Sequence, residues 1–196
     1  MSNNSKGKKD MVIITAPSGS GKTTIIQRLL KEYPKFNFSI SATTRKPRAN
    51  EIDKKDYYFI SVEEFKNSIE SGDFLEWEMV YESIYYGTFH REIHRIQDDG
   101  KIPILDIDVQ GALNLKNDNK HKIFSLFIKA PSLEELENRL RKRETDSDEK
   151  ILERVEKAKE ELTYQDRFDK IIVNDNLETA YNEVIKALKE QFELKN

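Results

Sequence analysis

Apolar residues along the chain fall into two kinds of pattern. Short unbroken runs occur at Met11–Thr15, Ile102–Asp106, Ile123–Ile128 and Lys170–Val173, and each is separated from the next by at least one segment with helical spacing. Runs of this length fit strands, and their alternation with helices predicts a parallel sheet. Helix starts are marked at Ser61-Val-Glu-Glu64 and Ser132-Leu-Glu-Glu135, where Ser and the Glu three positions on can satisfy each other's orphan backbone donors. Further on, Ile151, Val155, Ala158 and Leu162 share one stripe of a helix.

Two segments depart from this alternation. From Phe38 to about His90, short runs rich in Tyr, Phe and Thr surround Tyr57–Ile60, Phe74–Tyr81 and Tyr85–Thr88, which predicts a small β-rich insertion. From Leu133 to about Leu162 the chain is dense in Arg, Lys and Glu with little core-forming content, as expected of a mobile helical arm over a site. The expected division is a polar tail over 1–10, a core built from 11–37, 91–131 and 164–196, an insertion over 38–90 and an arm over 132–163. The fold class is α/β.

Composition narrows the reading. The 196 residues suffice for one α/β core with an inserted subdomain, and a net charge of −3 with 35% charged residues of both signs argues against a non-specific nucleic-acid binder. Any basic site must be local. No cysteine is present, which removes disulfides and thiol catalysis. The polar stretch Met1–Asp10 has no apolar signal segment and no run approaches membrane-spanning length, so a cytoplasmic location is expected.

The first apolar run leads into Ala16, Pro17, Ser18, Gly19, Ser20, Gly21, Lys22 and Thr23, and then the helix-like Thr24–Leu30. A strand feeding a glycine-rich turn aims backbone N–H groups and a helix N-terminus at one point, a site for phosphate oxygens. Lys22 would reach the outer phosphates, and Thr23 offers a hydroxyl where such loops hold Mg²⁺; together they predict a bound nucleoside triphosphate with its metal. Ala16 stands where the motif has Gly, but Gly19 and Gly21 are in place.

At the end of the second run stand Asp106 and Asp108, two apart and so expected on one side of the strand, facing the crevice where open parallel sheets bind ligands. Asp106 is the candidate for the metal shell. Arg45 and Arg48 flank a proline in a polar segment and can fork around a phosphate; a solvated basic turn is the alternative. His90 and His94 sit four apart on an expected helix without an apparent third ligand, which reads as surface histidines.

These segments, with Ser39–Arg48, Tyr57-Tyr-Phe59, Phe74-Leu-Glu76, Tyr85-Tyr-Gly-Thr88, Leu105–Gly111 and Ile172-Val-Asn-Asp175, make the chain resemble the guanylate kinases from Val12 to about Leu188. The resemblance implies a parallel core with a nucleotide-monophosphate insertion and a helical lid, acting on ATP and GMP, and on dGMP as a further acceptor. It implies that Arg45, Arg48, Tyr57 and Tyr86 hold the GMP phosphate, while Ser41, Glu76, Gly87, Thr88 and Asp108 line the guanine site. Thr24, Arg143, Asn174 and Asp175 join the loop Ala16–Thr23 on the ATP side, and Lys22, Arg45, Arg139 and Arg154 act on the transferring phosphate.

Glu76 carries its own physical argument. Guanine presents N1–H and an exocyclic amine as adjacent donors that one carboxylate accepts together, whereas adenine would face it with an acceptor. The chain departs from the family pattern at Asn50 and Lys54, at Ser83-Ile84 before Tyr85, and at Glu144 after Arg143, positions where glycine, or Gly-Asn, is usual. Two rival readings are a phosphopeptide-binding module on the same fold, disfavoured by the intact Lys22 and Thr23, and a kinase for another phosphorylated acceptor, disfavoured by the set Ser41, Glu76 and Thr88.

Overall fold

The computed structural model describes residues 9–118, 120–142, 147–192 and 194, the side chain of Tyr81 excepted. Strand β1 (Met11–Thr15) leads into helix α1 (Lys22–Glu32), followed by β2 (Phe36–Phe38), β3 (Ala42–Thr43), β4 (Tyr58–Phe59), α2 (Val62–Glu70), β5 (Phe74–Tyr81) and β6 (Ile84–Phe89). The chain continues through α3 (His90–Asp98), β7 (Ile102–Asp106), α4 (Val109–Asn117), β8 (Ile123–Lys129), α5 (Leu133–Arg141), α6 (Asp148–Leu162), β9 (Lys170–Val173) and α7 (Leu177–Gln191).

All four expected core strands are present and parallel, in the order β2-β7-β1-β8-β9. The fifth, β2, is too short to show a period, and its position comes from pairing Phe36 with Ile102 and Phe38 with Ile104. Alternation along β1 builds both faces of the core. Val12 and Ile14 pack with Ile25, Leu29 and Val184 on one side, while Met11 and Ile13 pack with Leu105, Ala112 and Phe127 on the other. A strand buried on both faces reads as an unbroken apolar run, which is how β1 announced itself.

A second sheet, in the order β4-β3-β6-β5, forms the β-rich insertion. Its core is aromatic: Phe65 stacks on Phe74 with ring centroids 4.3 Å apart, and Phe74 on Phe89 at 4.4 Å. The capping box at Ser61 forms as expected, Ser61 Oγ accepting from the Glu64 N–H while the Ser61 N–H donates to the Glu64 carboxylate.

The charged arm has more core than its composition suggested. Leu136 and Leu140 of α5 pack against Ile151, Val155 and Ala158 of α6, with Ala130 and Leu133 beneath, in a cluster of their own. Leu162, the last residue of the stripe, leaves that cluster and packs with Leu75 and Tyr164 against the main core. No helix among the described residues is long and apolar enough to cross a membrane.

Candidate active site

The nucleotide loop opens with a tight turn in which the Ser20 N–H donates to the Pro17 carbonyl at 3.2 Å. Gly21 then caps the start of α1 with φ of +85°, and among the described residues no side chain caps that end of the helix. The backbone N–H groups of the first turn are thus left to an anion, as a phosphate site requires. A side chain at Gly21 would be strained by the positive φ and would also collide with the Asn174 amide, whose Nδ2 donates to the Ser20 carbonyl at 2.8 Å. Asn174 is buried and follows the end of β9, so the last core strand buttresses the loop.

From this loop a cavity of about 430 Å³ runs to the second sheet, within the range of about 300–1,000 Å³ usual for small-ligand sites. One end is lined by Ala16–Thr23, Pro17 included, with Asp106 and Arg154; the other is lined by Ser41, Arg48, Tyr57, Glu76, Tyr86 and Gly87, with Asp108 between. Lys22 Nζ is ion-paired with Asp106 Oδ1 at the crevice where β1 and β7 end side by side. Strand β7 stops at Asp106. Asp108 therefore does not share its strand; it caps α4, accepting from the Gly111 N–H at 2.7 Å.

Glu76 is half-buried against the facing strand. Thr88 Oγ1 donates to its Oε1 at 2.6 Å, and its Oε2 lies so close to Gly111 that a side chain there would collide with it. Burial pushes its carboxyl up to about 7; the Thr88 bond works against that shift, and the negative charge of Asp108 adds to it. Tyr57 is likewise raised, first by burial and then by the negative field of Asp106.

Arg45 stands behind the cavity wall. Its Nη1 and Nη2 donate to the Glu51 carboxylate at 2.6 Å each, its Nε donates to Tyr86 Oη at 2.9 Å, and its guanidinium lies 4.8 Å from the Tyr57 ring centroid. Glu51 also accepts from the Arg48 N–H at 2.8 Å, and the pairing with Arg45 holds its carboxyl down at about 2. The sequence reading missed Glu51, which declares its role only through the pairing with Arg45.

Arg139, Thr24, Asn174 and Asp175 lie off the cavity. Arg139 bonds Glu135 at 2.8 Å and the Asn174 carbonyl at 2.9 Å, behind the nucleotide loop. Arg154 reaches into the site from α6 and donates to Ser18 Oγ at 3.1 Å. Arg143 and Glu144 lie outside the described residues. The sequence reading missed Glu78, Lys157 and Glu161 in the cavity wall. Glu161 is pushed up to about 7, by burial first, with Lys157 opposing and Asp108 adding to the shift.

Among the described residues no group of three or more His, Asp or Glu side chains gathers for a metal. The hard oxygens of Thr23 and Asp106 nevertheless fit Mg²⁺, which commonly takes one or two protein ligands and completes its shell with phosphates and water.

The chain is similar to known proteins over nearly its whole length. A family model described as guanylate kinase matches residues 8–191. A guanylate kinase of Porphyromonas gingivalis is 46% identical over 179 residues, 91% of this chain and 95% of that protein. One from Nitratidesulfovibrio vulgaris is 46% identical over 181 residues, covering 92% and 86%. The crystal structure of guanylate kinase from Anaplasma phagocytophilum superposes with a TM-score of 0.75 at 28% identity, covering 94% of this chain and 86% of that one. With its nucleotide loop, its second sheet and these relatives, the chain belongs to the guanylate kinase family, which phosphorylates GMP to GDP at the expense of ATP.

Proposed function

We propose that the two ends of the cavity divide the substrates, with the triphosphate of ATP on Ala16–Thr23 and GMP, or dGMP, against Ser41, Arg48, Tyr57, Glu76 and Tyr86, while Thr88, which is fully buried off the cavity, acts through Glu76. The observation that carries this reading is that Glu76, whose carboxylate suits guanine's paired donors, opens on the same cavity as Lys22. Ionised Glu76 accepts N1–H and the exocyclic amine, its second oxygen steadied by Thr88. Arg48 and the Tyr57 and Tyr86 hydroxyls hold the acceptor phosphate, and Arg45 supports both tyrosines from behind.

An oxygen of the GMP phosphate attacks the terminal phosphorus of ATP; the new O–P bond forms as the bridging O–P bond breaks, and ADP leaves with the bridging oxygen. No general base is required, because the second pKa of a phosphate monoester is about 6. Lys22 and Arg154 offset charge developing on the transferred group. Thr23 and Asp106 would hold Mg²⁺, which when bound neutralises charge on the outer phosphates. Asn174 and Arg139 act from behind, shaping the loop.

The arm of α5 and α6 is the moving part in this reading. Its separate hydrophobic cluster lets it travel as one body, carrying Arg154 and Lys157, and its closure would exclude water from the transfer.

The test is ADP formation from ATP and Mg²⁺ with GMP, dGMP, AMP, UMP or CMP, alongside a reaction without acceptor. Turnover confined to GMP and dGMP supports the assignment of Glu76. Equal turnover with AMP removes it.

A further inference from the structure

Two connections join the core sheet to the second sheet. The outgoing one runs from Phe38 at the end of β2 to Ala42 at the start of β3, and the returning one passes from Phe89 of β6 directly into α3. One side chain engages both. Glu92, in the first turn of α3 and only 1% exposed, has both oxygens saturated. Oε1 accepts from the Tyr58 hydroxyl at 2.6 Å and from Arg95 Nε at 3.1 Å. Oε2 accepts from the Ile40 N–H at 3.1 Å and from Arg95 Nη2 at 2.8 Å, and that same nitrogen lies 3.5 Å from the Phe38 carbonyl.

Neighbouring Ile93 is part of the main core, so α3 belongs mechanically to the core side of the pivot. Ile40 and Tyr58 belong to the other side. Each adjoins a residue of the acceptor end of the cavity, Ser41 and Tyr57, and the two segments are tied by the Tyr58 N–H donating to the Ser41 carbonyl at 2.9 Å.

Stability alone is a weak reason for a carboxylate here. A buried ion pair can often be replaced by apolar residues of similar volume without loss, whereas its hydrogen bonds fix relative positions that apolar contacts leave free. Burial by itself would raise the carboxyl, but the bonds from Arg95, Tyr58 and Ile40 outweigh it and hold it below the usual range, so the pin stays charged at neutral pH.

We propose that Glu92 is a positioning residue for the acceptor, pinning the pivot on which the second sheet carries Ser41 and Tyr57 over the nucleotide loop. The inference rests on the acceptor pocket proposed above. It assigns to α3 a role that none of its residues plays by touching substrate.

Steady-state kinetics, with GMP varied at saturating ATP and the reverse, tests it on Glu92→Ala, Glu92→Gln, Tyr58→Phe and the core control Val184→Ala, each also melted by calorimetry. Glu92→Ala should raise KM for GMP about tenfold or more while KM for ATP moves less than about twofold. Tyr58→Phe, which removes only a hydroxyl, should raise it about threefold, and Glu92→Gln should fall between because it keeps one acceptor. Val184→Ala should lower the melting temperature and leave both KM values in place. If Glu92→Ala and Tyr58→Phe behave like Val184→Ala, the carboxylate is structural and the proposal is overturned. Ser41→Ala and Tyr57→Phe separate the two readings: a raised KM for GMP in these alone keeps the pocket and discards the pin.

Discussion

Arg45 and Glu51 form a two-pronged pair, both bonds 2.6 Å long, in which the carboxylate also holds the Arg48 N–H. One acid thus organises the turn that carries both arginines. Glu51→Ala should raise KM for GMP about tenfold or more, because charge-assisted bonds of this kind are worth roughly 1.5–3 kcal/mol. KM for ATP should hold, and initial rates with each substrate varied in turn check both. An unchanged KM for GMP would mean that Arg45 finds its position through Tyr86 alone.

With Glu76 in the proposed guanine site, acceptor use should depend on pH. Its carboxyl sits at about 7 in the folded protein against a usual value of 4.5. In the proposed site only the ionised form accepts guanine's two donors, so KM for GMP should fall about tenfold between pH 6 and pH 8, beyond the smaller change contributed by the acceptor phosphate itself. Glu76→Gln should weaken GMP use far more than ATP binding and leave only that smaller pH effect. A full pH dependence in Glu76→Gln would place the titrating group elsewhere, with Glu161 the first to test.

The same residue should shape stability. A carboxyl raised on folding binds its proton more tightly in the folded state, so its contribution is intact below pH 4.5 and is lost as pH rises through about 7. Above that pH the ionised, half-buried group costs on the order of 3 kcal/mol. Glu76→Gln should therefore melt higher than the parent at pH 8 and no higher at pH 4.5, as read by calorimetry without ligand.

Lys22 is held by Asp106 at the mouth of the crevice. Lys22→Met should leave the far-ultraviolet circular dichroism unchanged and reduce turnover by about two orders of magnitude or more. Near-normal turnover would remove the loop lysine from the mechanism.

Two departures from the family pattern fall on left-handed backbone. Ser83 has φ of +60° in the turn between β5 and β6, and Lys54 has φ of +62°. Ser83→Gly should raise the melting temperature by about 2 °C, since relief of about 1–2 kcal/mol of strain is partly offset by about 0.5–1 kcal/mol of lost chain entropy. The Ser83 carbonyl that accepts from Thr44 Oγ1 at 2.9 Å survives the change. A lower melting temperature would show that the serine hydroxyl stabilises the turn. Asn50, the departure best suited to a left-handed turn, does not adopt one.

What could be read in the sequence was local. Core strands covered on both faces wrote themselves as apolar runs, and the loop at Ala16–Thr23 carried its chemistry in eight adjacent residues. Strand β2 escaped because three residues show no period, and it exists through its pairing with β7. Glu51, Lys157, Glu161 and Glu92 escaped because a carboxylate or an amine in a charged chain declares a role only once folding has placed it. The arm looked coreless because its cluster draws single residues from two helices and the turn before them. Asp108 was expected on a strand, yet an acid two residues past a strand end is also well suited to cap the next helix, and here it does.

The bond from Asn174 to Ser20 spans 154 positions of the chain. A polypeptide emerging from the ribosome has the loop's sequence early but lacks the amide that shapes it until β9 has been made and docked. The shape of the loop therefore reports that the sheet is finished. For this chain, the loop is synthesised early and takes its final shape late, and Asn174→Ala, which removes the amide but leaves α7 and its core residues in place, should weaken ATP binding while the fold survives.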